Sequence, residues 1–301
     1  MIKSVTVMND AGESIRMELG HPEDSGFLIQ KITGLGPPKA EIHSTSSATN
    51  DGSTVNSVRL GDRNIVIYLK LMVKPTVEDM RQLSYKYFPI KKHIQLMFET
   101  DNRLCITEGR VETNEPDIFS DQETTQISIV CPDPYFYSVD QNITVFSGTE
   151  SLFEFPFYNE SVSENLMEFG NVKSDMAQEI IYPGDSEIGF VATIHALGVA
   201  TNLTIYNILT REAIKIDTTK LQTLTGSGII AGDDIIISTV KGHKYVILLR
   251  NGVYTNILNC INRDVNWLQL SQDKNVFAYT ADTGVMNLEF KIVNQIVYEG
   301  I

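Results

Sequence analysis

The sequence predicts a mainly β chain, α+β in its first half. Three observations predict it. Short apolar runs alternate with polar residues at the period of strands. Turn signals rich in Gly, Asn, Asp and Pro punctuate those runs. A single stretch, residues 76–88, carries persuasive helical spacing. At 301 residues the chain has room for two domains. The stiff run Cys131-Pro132-Asp133-Pro134-Tyr135-Phe136 puts their junction near residue 138, dividing the chain into 1–138 and 139–301.

Val5 and Val7 alternate with polar neighbours, so residues 4–8 form the first strand, closed by Asn9-Asp10-Ala11-Gly12. Residues 27–32 form a second strand that ends at Gly34-Leu35-Gly36-Pro37-Pro38. Two prolines after glycine cannot continue a central strand and force an extended exit. Residues 39–57 are rich in Ser, Thr and Asn and hold the turn pair Asp51-Gly52. They read as a long loop leaving the domain body, and such loops are either functional or disordered. Ile65, Ile67, Leu69 and Leu71 alternate along the next strand. Thr76 then caps the helix, with Asp79 in a capping-box-like position. Val77, Met80, Leu83 and Tyr87 share its inner face, and Pro89 stops it. Strands resume at 94–98, 104–107, 109–112 and 125–130.

The second half reads as strands at 153–157, 188–194, 203–206, 214–216, 235–238, 245–249 and 288–293. Turns fall at Pro183-Gly184-Asp185, Gly226-Ser227-Gly228, Ala231-Gly232-Asp233-Asp234 and Arg250-Asn251-Gly252. Many short strands so spaced predict a sandwich or jelly roll.

The formal charge of −14 is spread through both halves with no basic stripe. That argues against nucleic-acid binding, which draws its affinity from Lys and Arg on phosphates, and against anionic membranes. No apolar run approaches the length of a membrane helix. The first ten residues lack a leader's apolar core, so no secretory signal is expected. Cys105, Cys131 and Cys260 include no CxxC pair and read as buried free thiols, with one disulfide left open. His21, His43, His93, His195 and His243 show no metal-ligand spacing, so no metal or cofactor is expected. Gly184-Asp185-Ser186 resembles an esterase nucleophile block, but a strand pattern follows it where a helix is needed, and it reads as a turn. No catalytic residue is assigned, and the chain is expected not to be an enzyme. Adjacent Tyr135, Phe136 and Tyr137 fit core packing or a domain seam. Trp267, the only tryptophan, fits burial beside Leu268 and Leu270 or a sugar-stacking role.

Several blocks together resemble one family, the distal tail proteins of siphophages that infect Gram-positive bacteria. The first is Ile32-Thr33-Gly34-Leu35-Gly36-Pro37-Pro38-Lys39-Ala40, followed by Asp51-Gly52 and Arg63-Asn64-Ile65-Val66-Ile67. The second is Glu108-Gly109-Arg110-Val111-Glu112 leading to Ile127-Ser128-Ile129-Val130 and Cys131-Pro132-Asp133-Pro134-Tyr135-Phe136. In the second half come Ala231-Gly232-Asp233-Asp234, Asn251-Gly252, Trp267-Leu268-Gln269-Leu270 and Asn275-Val276-Phe277-Ala278-Tyr279, in the family's order. Asp273-Lys274 departs from the family, which has a glycine before that last block.

The resemblance implies an N-terminal β-barrel-like belt domain with one helix and a C-terminal galectin-like β-sandwich. It implies a homohexameric ring at the end of a phage tail, in the virion tail tip, assembled in the bacterial cytoplasm. The implied partners are the tail tube protein, the tail-associated lysin or baseplate hub protein, and a receptor-binding protein. The residues expected to reach a neighbouring subunit are Pro37, Pro38, Lys39, Glu41, His43, Asp51 and Gly52. A carbohydrate-binding sandwich for host-surface recognition is the alternative.

Overall fold

Ile65, Ile67, Leu69 and Leu71 bury one face of a strand, and that alternation organises the first of two compact units. In the computed structural model, residues 1–46, 51–120, 122–151, 170–174 and 176–301 are described. The strand expected at 153–157 lies outside them. The first unit is Met1–Asp140 with Val297–Ile301, and the second is Gln141–Ile296. The sequence reading assigned the last five residues to the second domain; they join the first because their strand pairs there.

The first unit contains β1 (Ile2–Asn9), β2 (Ser14–Glu18), the short helix α1 (Pro22–Ser25), β3 (Phe27–Thr33), β4 (Ala40–Ser46), β5 (Ser53–Leu60) and β6 (Arg63–Leu71). Then come α2 (Val77–Tyr87), β7 (His93–Thr100), β8 (Leu104–Asp117), β9 (Thr124–Cys131) and β10 (Phe136–Ser138). The main sheet runs β2-β1-β7-β8-β9-β6-β3. Its end strands share no ladder, so the barrel-like expectation becomes an open sheet by hydrogen bonding. Val5, Val7, Ile65, Ile67, Leu69, Ile94, Leu96, Phe98, Ile127 and Ile129 form its core.

Helix α2 forms as the pattern predicts. The Thr76 Oγ accepts the Asp79 N–H at 3.1 Å, and Val77, Met80, Leu83 and Tyr87 all pack on the core. Arg81 grips Glu123 with two bonds of 2.8 and 3.0 Å, tying the helix to the approach to β9.

Two readings of this half need correction. Residues 104–117 form one strand, because Gly109 does not interrupt it. A Cβ there would sit 2.7 Å from the Ile129 side chain and 2.8 Å from Cys131 Sγ, so glycine lets β9 approach. Residues 39–57, read as a loop, mostly form the β4–β5 hairpin.

The second unit contains β11 (Asn142–Val145), β12 (Ser147–Ser151), β13 (Gly170–Ser174), β14 (Ala177–Tyr182), β15 (Val191–Ala196), β16 (Thr204–Asn207), β17 (Ala213–Lys215) and α3 (Thr218–Thr225). After these come β18 (Asp234–Ser238), β19 (Tyr245–Arg250), β20 (Val253–Asn256), β21 (Asp273–Thr280) and β22 (Leu288–Asn294). A six-stranded sheet, β11-β22-β15-β18-β19-β20, and a four-stranded sheet, β14-β21-β16-β17, make a β-sandwich. Between them Tyr279 meets Phe290 at 5.3 Å, and Phe277 meets Phe190 edge-on at 5.1 Å. Helix α3 was not read from the sequence. Its Asp217 cap accepts two backbone N–H groups, and Gly226 closes it in the left-handed region. Asp273 adopts a φ of 66°, so an aspartate takes a left-handed turn at the pair where the resemblance leads one to expect a glycine.

Asp233 is fully buried, and Arg250 holds both its oxygens, at 2.7 and 2.6 Å. The same guanidinium reaches Ser227 and the Gly228 carbonyl, while Asp233 accepts the Ile230 N–H. The Ala231-Gly232-Asp233-Asp234 block is thus a structural clamp between the end of α3 and β18. Arg250→Ala leaves a buried carboxylate without its cation and should destabilise the second unit by roughly 3–5 kcal/mol. Urea unfolding followed through Trp267 reports that unit selectively and checks it.

Candidate subunit-contact site

Arg63 stands in phase with the buried positions of β6 and is 2% exposed. The hydrogen bonds of its guanidinium go to backbone carbonyls. Its Nε donates to the Pro134 carbonyl at 2.7 Å, Nη1 to Gly34 and Gly36 at 2.6 and 2.7 Å, and Nη2 to Glu299 at 2.6 Å. The guanidinium also lies 4.3 Å from the centre of the Phe136 ring. Burial pushes its pKa below the usual arginine value, while the nearby Cys131, Asp133 and Glu299 pull it back. The planar fork suits a fan of carbonyls.

Both sequence blocks therefore meet at one cation. Gly34 has a φ of 84°, and a Cβ there would fall 2.0 Å from the Asn64 carbonyl, so only glycine fits. In the second block, Cys131 ends β9 opposite Arg63. Asp133 accepts the Tyr135 N–H at 3.1 Å and the Tyr137 hydroxyl at 2.6 Å, fixing the turn at Pro132 and Pro134. Phe136 is buried against Phe98. The strand β23 (Val297–Tyr298) pairs with β10, and the Ile301 N–H bonds to the Leu35 carbonyl at 3.1 Å. Burial pushes the thiols of Cys105 and Cys131 up to about 11.

From this anchored base the chain leaves along Pro37, Pro38 and Lys39 into the hairpin. Pro37 and Lys39 are exposed and Pro38 half-buried. Glu41 and His43 lie on β4, and Glu41 meets Arg59 of β5 at 2.7 Å. Asp51 and Gly52 precede β5, Gly52 with a φ of 95°. These residues share one excursion.

What the sequence reading missed is the hairpin's apolar face. Ile42 pairs with Val58, and Ser44 with Val55. Ile42 and Ser44 are two apart on one strand, so they share a face. A register shift at Asn56 brings Val55 and Val58, three apart, onto that face as well. Ile42, Val58 and Val55 are 62%, 61% and 55% exposed. The opposite face carries Glu41, His43, Ser57 and Arg59. Among the described residues the hairpin pairs with no other strand.

Among the described residues no group of three or more His, Cys, Asp or Glu is placed to hold a metal. Among the same residues no helix is long and apolar enough to cross a membrane.

No family model and no curated protein matches the chain. Solved structures do. The SPP1 Dit protein, described as a paradigm of the hub adsorption apparatus in phages infecting Gram-positive hosts, aligns over 97% of this chain and 98% of its own. The TM-score is 0.66 at 13% identity, which shows a shared fold. Chains of the phage P2 baseplate in its activated conformation, with Ca and with Sr, align over 98% and 97% of this chain at 10% identity. Their TM-scores are 0.47 and 0.46, too low to carry an argument.

Arg63→Ala strands four carbonyls and should destabilise the first unit by on the order of 3–5 kcal/mol. Arg63→Lys should recover less than half of that, because one ammonium cannot reproduce the fork. Hydrogen exchange checks both: amide protection at Ile301, whose acceptor is Leu35, falls first. In the folded protein at pH 7.5, Cys105 and Cys131 should not react with a thiol-titrating disulfide reagent, and both should titrate in denaturant.

Proposed function

We propose that the chain is a structural, non-catalytic adaptor that forms a homohexameric ring at the tip of a phage tail, with the β4–β5 hairpin reaching the neighbouring subunit. The observation that carries the reading is the hairpin itself. It has no core of its own, and a lone two-stranded hairpin is marginal in water. Its base is nonetheless pinned through Arg63, and it holds out Ile42, Val55 and Val58 on one face. Both strands also keep unpaired edges. Such an element is completed by a surface on another chain. Where the surface that receives it differs from its own contact face, the interface is head-to-tail, and head-to-tail contacts close into rings when the rotation permits.

The fold shared with SPP1 Dit supports this reading, as do the blocks at Gly34–Lys39 and Cys131–Phe136 that resemble distal tail proteins. On it, the second unit is a galectin-like sandwich. The partners are the tail tube protein, a tail-associated lysin or baseplate hub protein, and a receptor-binding protein. The protein sits at the virion tail tip after assembly in the bacterial cytoplasm. The net charge of −14 suits a ring through which DNA passes without sticking.

Light scattering and negative-stain images should show rings of six 33.7 kDa chains, about 202 kDa. The double variant Ile42→Asp/Val58→Asp should run as a monomer with an unchanged far-ultraviolet dichroism spectrum. Rings that persist in this variant would remove the hairpin from the interface. A wild type that stays monomeric at high concentration, alone and with its tube partner, would remove the ring.

A further inference from the structure

Trp267 borders a cleft of about 410 Å³ in the second unit. The volume falls within the roughly 300–1,000 Å³ typical of small-molecule sites. The indole is half-buried and packs on the sandwich core, next to fully buried Leu268. It is therefore held in place and still presents aromatic surface to the cleft. Ile261 and Val265 extend the apolar floor. The rim is polar. Asn259 and Asn262 come from the segment after β20, Lys220 from α3, and Arg263 from the segment leading to Trp267.

The rim charge runs against the charge of the chain. The protein carries −14 overall, yet the charged residues lining this cleft are both cations. Among the described residues, Arg263 makes no ion pair. Lys220 has only a 3.8 Å contact with Asp217, whose carboxylate already accepts the Thr219 and Lys220 N–H groups that cap α3. Lys244 lies 5.4 Å over the indole and adds to the local positive field. Asp264 is the nearest acid in sequence; it is exposed and does not line the cleft.

An aromatic floor, two amides and two available cations define a ligand class. The C–H face of a pyranose ring packs on an indole. The Asn259 amide can both donate to and accept from ring hydroxyls, and Asn262, whose Oδ1 already accepts the Lys215 N–H, can donate to them. Arg and Lys side chains bind a carboxylate or phosphate. We propose that the Trp267 cleft binds an acidic saccharide, with the sugar ring on the indole and its anionic group on Arg263 and Lys220. Every residue named for the site comes from the second unit of this chain, so its test is separate from that of the ring.

Because Trp267 is the only tryptophan, its emission reports the cleft directly. The full-length protein is titrated with glucose 6-phosphate, glucuronate, glucose and inorganic phosphate. A saturable change with either acidic sugar, about tenfold tighter than with glucose, supports the site. The tighter of the two identifies phosphate or carboxylate as the anion. Arg263→Gln, at an exposed position with no ion pair among the described residues, should leave the fold intact and weaken acidic-sugar binding about tenfold. Calorimetry on Trp267→Phe should show weakened binding by a route independent of fluorescence. No saturable change with either acidic sugar overturns the proposal. So does an equal response to inorganic phosphate alone, or an Arg263→Gln variant that binds like the wild type.

Discussion

A buried guanidinium held by backbone carbonyls is the constraint on which the first unit turns. Arg63 leaves water at a cost that only well-aimed acceptors offset. Those acceptors are backbone carbonyls from three segments: Gly34 and Gly36, Pro134, and Glu299. The first is a glycine-rich exit from a strand, the second a proline turn that Asp133 also holds, and the third the segment that follows β23. The guanidinium joins them, because each supplies part of its coordination. The far-separated sequence blocks are in this sense parts of one contact, and the last five residues join the first unit for the same reason.

The same contact explains how a hairpin without a core can serve as an interface. A flexible arm loses much of its binding energy to ordering. Here the order is provided at the root, where Gly34 admits no side chain and Pro37 and Pro38 limit the exit directions. Further out, among the described residues, the ladder, the Glu41–Arg59 pair and a bond from Asn56 Nδ2 to Thr45 Oγ1 hold the strands together, and an exposed ion pair of that kind contributes little. The register shift at Asn56 then decides which face is apolar. Without it, Val55 would point away from Val58, and the strip would be broken.

Much of the fold was legible because burial imposes a period. The alternation at 65–71 and the three- and four-residue spacing from Val77 to Tyr87 mark the β6 strand and α2 as they stand. The hairpin was not legible as strands, since an element exposed on both faces carries no apolar alternation. Helix α3 was missed for a related reason: four threonines and a single buried leucine give it almost no face. Its ends were written in the sequence all the same, as Asp217 and Gly226. The site was legible in part. Glycines and prolines marked where the backbone is constrained, but nothing singled out Arg63 within the block Arg63-Asn64-Ile65-Val66-Ile67. Its phase with Ile65 was the available signal.

The blocks that carry the resemblance coincide with positions where the backbone admits few alternatives. Gly34 and Gly109 sit where another chain segment comes too close for a Cβ. Asp133 fixes a turn, and Asp233 with Arg250 clamps a loop. Elsewhere the fold asks only for alternation and adequate volume, which many sequences meet. A shared fold at 13% identity is then what these constraints predict. They also limit what the fold can transmit. Arg263 and Asn259 satisfy no demand of the sandwich, so nothing in the architecture obliges the Trp267 cleft to exist. The chemistry of a feature the fold does not require has to be read from its own side chains.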